Sequence, residues 1–273
     1  MGARNGGASF GRLLRHWRQA RGLSQLSLAI EAEISSRHVS FLETGRTQPS
    51  RDMVQRLGAV LDVPLADQNA LLLAAGFAPA YEERELGAPE LAHVRRALTF
   101  ILRQQEPYPA IVVDRAWDTV MRNDAAVRIF SLFRGPHPLE PEIVDNALHA
   151  TFHPDGLRQF VLNWEELAAP LIQSLHREAA TSEAAERLRD ALLAYPGVPA
   201  RWKVPDPEAA AAPVLSMRLK RGDVSLAFFS TITTLATPQD VTLQQLRIEC
   251  FHPADAVTEE TAKHLAATRD PRP

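Results

Sequence analysis

Apolar residues over the first 76 positions recur at intervals of three and four, the repeat of helices that each bury one stripe. Phe10, Leu13, Leu14 and Trp17 make the first stripe, Leu28, Ala29 and Ala32 the second, Val39 and Leu42 the third. Met53, Leu57, Val60 and Leu61 make the fourth, and a fifth helix spans about 65–75. Ser24, Ser35 and Ser50 precede three of these stripes, where a hydroxyl accepts from a backbone N–H that the helix leaves free. Thr44-Gly45 and Gly76 supply the stops. Ala29 is small where the second and third helices must approach, so 23–50 reads as two short helices joined by a tight turn.

After residue 90 the period changes. A helix near Glu90–Gln104 carries Leu91, Val94, Leu98 and Ile101 on one face. Residues 110–114 and 117–122 then alternate as strands, with a turn at Arg115-Ala116. Asn123-Asp124 caps a helix reaching Phe133, and about 140–195 is helical. In that stretch Asp155-Gly156 opens one run, and Ser182–Tyr195 forms another. Pro213–Lys220, Val224–Leu235 and Val241–His252 are strand-like, with a hairpin signal at Arg221-Gly222-Asp223. The expected fold is multidomain: an all-α helix-turn-helix bundle, then an α+β domain whose antiparallel sheet has helices on one face. The expected limits are 1–80 for the bundle, 81–90 for a charged, turn-rich linker, 91–255 for the second domain and 256–273 for a tail.

Charge and the outward face of the third helix give the first domain a function. Ser36, Arg37, Ser40 and Phe41 face away from Val39 and Leu42, and a short helix so decorated fits a DNA major groove. Residues 1–56 hold nine Arg and four Asp/Glu, a net +5 that leaves −8 for the rest of a chain totalling −3. A basic module on an acidic protein is the footprint of phosphate binding. The expected partner is double-stranded DNA, contacted by Ser24, Gln25, Ser35, Ser36, Arg37, His38, Ser40, Phe41 and Arg46. Arg37 suits guanine O6 and N7, Ser36 and Phe41 suit a hydroxyl contact and a thymine methyl, and Gln25 and Arg46 suit phosphates.

Leu23-Ser24-Gln25, Leu28-Ala29, Ile34-Ser35, Leu42-Glu43-Thr44-Gly45-Arg46 and Pro49 resemble the helix-turn-helix domains of the repressor-like XRE family, over residues 9–75. That resemblance implies a partly buried ion pair between Arg18 and Glu43. Glu33 departs from the pattern, which often has Gly in the turn; a non-Gly residue held there at positive φ costs about 1 kcal/mol. Further along, GFAPAY, EPYPAIVVDRAWDTVMRNDAA, Thr151–Leu157, VLNWEELA and LLAYPGVP resemble the MmyB-like regulators, from Phe10 to His252. Membership implies a PAS-like ligand-binding domain after the helix-turn-helix, taking up a fatty acid or another apolar small molecule.

Strands bearing Val112, Met217, Leu226, Phe228 and Ile232, opposite a helix bearing Phe160, Trp164, Leu167 and Leu171, supply apolar walls for such a molecule, though a plain core packs the same way. Trp117 and Asn123 complete the candidate ligand-binding set, and Arg122, Asn123 and Arg218 are candidate donors for a carboxylate. Other chemistry finds no frame. His149 and His153 are four apart but end at Pro154, His137 lies in a Pro-rich turn, and no HExxH, GxSxG, Walker loop or GxGxxG occurs. A metal, another cofactor and a catalytic site are therefore not expected. One cysteine, Cys250, rules out an internal disulfide and suits a reducing cytoplasm. No run of 18 apolar residues spans a membrane. The reading is a cytoplasmic, homodimeric transcription regulator; the alternatives are a second domain that only dimerises or docks a protein, and an enzyme with a vestigial helix-turn-helix.

Overall fold

The computed structural model describes residues 3–179, 182–206, 214–236, 238 and 240–268, and divides into two units. The first unit packs α1 (Ala3–Ala20), α2 (Gln25–Glu31), α3 (Ser36–Glu43), α4 (Arg51–Val60) and α5 (Leu65–Ala74) around Phe10, Leu14, Trp17, Leu28, Leu42 and Leu57. Ser24, Ser35 and Ser50 cap α2, α3 and α4 by accepting from the backbone N–H of Ser27, His38 and Met53 at 3.0, 3.1 and 3.2 Å. In α4 Val54 is fully buried beside Leu57, while Met53 and Val60 are only partly covered. The α2–α3 turn holds Glu33 at φ 55°, the left-handed conformation that Gly would adopt without strain. Gly11 lets α1 cross the end of α3: a Cβ there would lie 2.5 Å from the carbonyl oxygen of Glu43 and 2.6 Å from that of Leu42.

This unit also owns a segment from much later in the chain, Ala236–Gln244. Pro64 leaves the start of α5 without a side-chain cap, and the Leu65 N–H instead donates to Gln244 Oε1 at 2.7 Å. Val241 N–H donates to the Glu82 carbonyl at 2.9 Å, and Arg84 pairs with the buried Asp240 at 3.1 Å. Tyr81 is likewise fastened, its hydroxyl donating to Gln68 and its backbone N–H to Asn69. The expected 81–90 linker is therefore largely ordered: the unit boundary falls between Leu86 and Gly87, and Pro89–Leu91 forms a 3₁₀ turn.

The second unit begins with α6 (Ala92–Gln104) and the antiparallel pair β1 (Ala110–Val113) and β2 (Thr119–Arg122). It continues through α7 (Asp124–Ser131), α8 (Pro141–Asp145), α9 (Ala147–Phe152), α10 (Trp164–Ala179) and α11 (Glu183–Ala194). The strands β3 (Leu215–Arg221) and β4 (Val224–Thr234) follow; after α12 (Val241–Gln245), which lies almost wholly in the first unit's 236–244 segment, come β5 (Arg247–Pro253) and α13 (Ala256–Ala267). The sheet is antiparallel, in the order β2-β1-β5-β4-β3.

Three expectations are corrected here. Val241–His252 is not one strand: Asp240 accepts from Thr242 N–H at 2.9 Å, starts a helical turn, and the strand begins only at Arg247. Residues 256–267 are a helix rather than a tail. Asp255 caps α13, Ala262 enters the main core, and the buried Thr258 hydroxyl accepts from Ala227 N–H on β4. Helices do not line one face only. Ile111 and Val113 join the main core, whereas Val112 and Ile248, equally buried, lie outside it, as do Leu98 and Leu102 of α6, which contacts β1. Pro213, expected to open a strand, and 269–273, expected in the tail, lie outside the described residues.

Candidate DNA interface and ligand cavity

The eight residues of α3 divide by face. Val39, Leu42 and Glu43 are buried, Ser36 and Arg37 exposed, and His38, Ser40 and Phe41 partly so. The guanidinium groups of Arg37 and Arg46 stand 5.2 and 5.8 Å from the Phe41 ring centre, so one aromatic face orients both cations. Ser24 and Ser35 are exposed, but their oxygens already serve as caps.

Beneath this face Glu43 has a fully buried carboxylate. Arg18 holds it at 2.6 and 3.1 Å, Gln25 donates at 2.9 Å and Arg15 at 3.2 Å. A further Arg18 N–H donates to the Leu23 carbonyl at 2.8 Å. Burial alone would raise the Glu43 pKa, but the hydrogen bonds from Arg18 and Gln25, with the charge of Arg18, hold it below the ordinary carboxylate value. The cluster ties α1, the start of α2 and the end of α3 together. Gln25, expected to face phosphate, is thus engaged inward.

In the second unit a cavity of about 390 Å³ opens between the sheet and the helices of the 124–171 region. Its depths are apolar: Ile111, Phe133, Leu148, Leu167, Met217 and Phe251 are buried. Its mouth is exposed and basic, with Arg122, Ser131, Arg134 and His137. Arg122 is partly neutralised by Asp145 at 2.7 Å. Trp117 lines the wall in a conformation few bulky residues adopt, with φ 67°, in the turn that Asp114 closes by accepting from Ala116 and Asp118. Its indole Nε1 is buried with no hydrogen-bond partner.

Of the residues proposed from the sequence, Trp117, Arg122, Leu167, Leu171 and Met217 line the cavity. The others do not, and the reasons differ. Val112 points to the opposite face of the sheet from Ile111 and Val113. Asn123 is fully employed: it accepts from Ala110 and Ala126 N–H and donates to the Leu102 and Tyr108 carbonyls. Phe160 packs edge-on against Phe133, and Trp164 lies between Phe152 and the Arg158 guanidinium, behind the wall. Leu226 and Phe228 fill the core, and Ile232 is 51% exposed. Arg218 alternates away from Met217 and pairs with Glu166 at 2.9 Å.

One residue that sequence reasoning missed is Glu249, which lies on the wall although buried. Burial pushes its carboxyl up to about 7 against a stabilising hydrogen bond from Ser230. The stretch Arg247-Ile-Glu-Cys-Phe251 carried a signal, since strand alternation puts Glu249 on the same face as Phe251. Elsewhere His149 bonds the Tyr195 hydroxyl at 2.8 Å, burial lowering its pKa, and His153 accepts from Asp155 N–H. Among the described residues no group of three or more His, Cys, Asp or Glu is placed to hold a metal. No described helix is long and apolar enough to cross a membrane.

Comparison with known proteins agrees with this division. Residues 94–265 match the family model of the MmyB-like transcription regulator ligand binding domain, and residues 9–71 match a helix-turn-helix domain model. No curated protein matches the chain.

Proposed function

The chain belongs to the MmyB-like transcription regulators, and from that premise we propose that it binds its operator as a cytoplasmic homodimer and senses a fatty-acid-like molecule in a PAS-like second domain. The observation that carries the proposal is the shape and polarity of the cavity. Its volume of about 390 Å³ is within the usual range for small-molecule sites. Buried Leu, Ile, Met and Phe side chains accept an acyl chain at about 0.8 kcal/mol per methylene, enough for tight binding after entropic losses. Arg134 and His137, exposed at the mouth, are suited to hold the carboxylate. A ligand changes DNA binding only if its affinity differs between two arrangements of the dimer.

The test is native purification, solvent extraction and mass spectrometry, followed by titration of C10–C18 acids against melting temperature and operator affinity. The expected result is a co-purified acid, a rise in melting temperature and a change in operator affinity. An empty extract with unchanged melting would overturn the ligand and leave the docking or dimerising role for the second domain.

A further inference from the structure

Glu249 occupies the sheet wall of the cavity, in register between Ile111 of β1 and Ile232 of β4. Among the described residues no Arg, Lys or His pairs with it, and the Ser230 hydroxyl is its hydrogen-bond donor. A carboxyl offers several acceptor sites when ionised, and a donor as well as acceptors when protonated, so one hydroxyl leaves most of that capacity unmet. An unbroken hydrocarbon chain laid against it would exclude water and supply no partner, an unfavourable exchange.

The same register row carries Arg122, which faces Ile111 as Ile111 faces Glu249. Two strand spacings separate the backbones of Arg122 and Glu249, roughly 10 Å. Arg122 is at the exposed mouth and Glu249 in the buried interior, so the cavity has a cationic entrance and a hydrogen-bonding station well inside. Trp117, on the same wall, adds an unpartnered indole N–H.

We propose that Glu249, with Ser230, determines the specificity of the cavity by selecting a long-chain acid that carries a hydroxyl on its chain over the unsubstituted acid. The inference rests on the reading that the cavity takes an amphipathic acid. A hydroxyl both donates and accepts, so it complements the carboxyl in either protonation state. The mouth cations would take the acid head, and Glu249 would read the second polar group at a fixed distance from it.

The experiment uses the full-length protein, freed of co-purified lipid, in calorimetric titrations with dodecanoic, 10-hydroxydodecanoic and 12-hydroxydodecanoic acids. At least one hydroxy acid should bind about tenfold more tightly than dodecanoic acid, the equivalent of one added hydrogen bond. Glu249→Gln, which keeps a donor and an acceptor, should retain the preference, and Glu249→Leu should reverse it. The leucine variant removes a buried acid and should melt no lower than the parent, which a thermal scan checks. Equal affinities for the three acids in the parent, or a preference that survives Glu249→Leu, would overturn the inference while leaving the acid-binding role standing. Absence of binding by all three would overturn that role and the inference together.

Discussion

Two buried glutamates respond to protons in opposite directions, because only one has cations beside it. Glu43 is held below the ordinary carboxylate value by Arg18 and Gln25 against the cost of burial. Its contribution to stability is present above the unfolded pKa and is lost as pH falls below that value and through the lower folded one. Glu249 is raised by burial from 4.5 to about 7, so the folded state holds its proton more tightly than the unfolded chain. The second unit should therefore lose stability as pH rises from about 4.5 to 7, by at most about 3 kcal/mol. Glu249→Gln should flatten that dependence in melts between pH 5 and 8; an unchanged slope would place its source elsewhere. Arg18→Ala leaves the buried Glu43 with Arg15 and Gln25 and should cost about 1–3 kcal/mol in denaturant unfolding of the first unit. On DNA, Arg37→Ala should relax the preference at one base position at a cost of about 1–3 kcal/mol. Arg46→Ala should weaken all sequences alike and lower the salt slope by about one, readable in binding profiles at several ionic strengths.

At the level of elements, the first unit obeys local rules and was largely legible. Serine caps and apolar stripes with a helical repeat need no distant partner to act. The turn at Glu33 keeps its positive φ, so Glu33→Gly should stabilise the unit by about 1 kcal/mol at most, seen as a higher melting temperature. Gly11→Ala should do the opposite, at about 1–3 kcal/mol, because its methyl group would meet two backbone carbonyls. Nothing local in the sequence marks that crossing. The second unit was harder to read for the same reason. Which face of β1 or β5 meets the cavity depends on register, and local pattern alone does not show that Val112 faces away from the cavity and Glu249 toward it. Trp164 and Phe160 carry the aromatic character of a pocket lining yet spend it on Phe152, Phe133 and Arg158, contacts decided by tertiary packing.

Across the whole molecule, the order of units along the chain was visible in charge and period, but the path between them was not. Asp240 and Gln244 look like residues of a strand or its entrance, whereas they complete the first unit from beyond residue 235. A helix that lacks its own cap after Pro64 takes one from a residue 179 positions away. Such a protein is not assembled from interchangeable cassettes. A fragment ending at Leu86 would keep every DNA-facing residue and still lack Gln244, which accepts from Leu65 N–H, and Asp240, one partner of Arg84, so it should melt below the parent unit. A chimera that takes its first 86 residues from one relative and the remainder from another would pair α5 with a foreign Gln244 counterpart. For such an exchange to succeed, the short piece around 236–244 would have to travel with its distant partner, and during divergence the two stretches would be expected to change together.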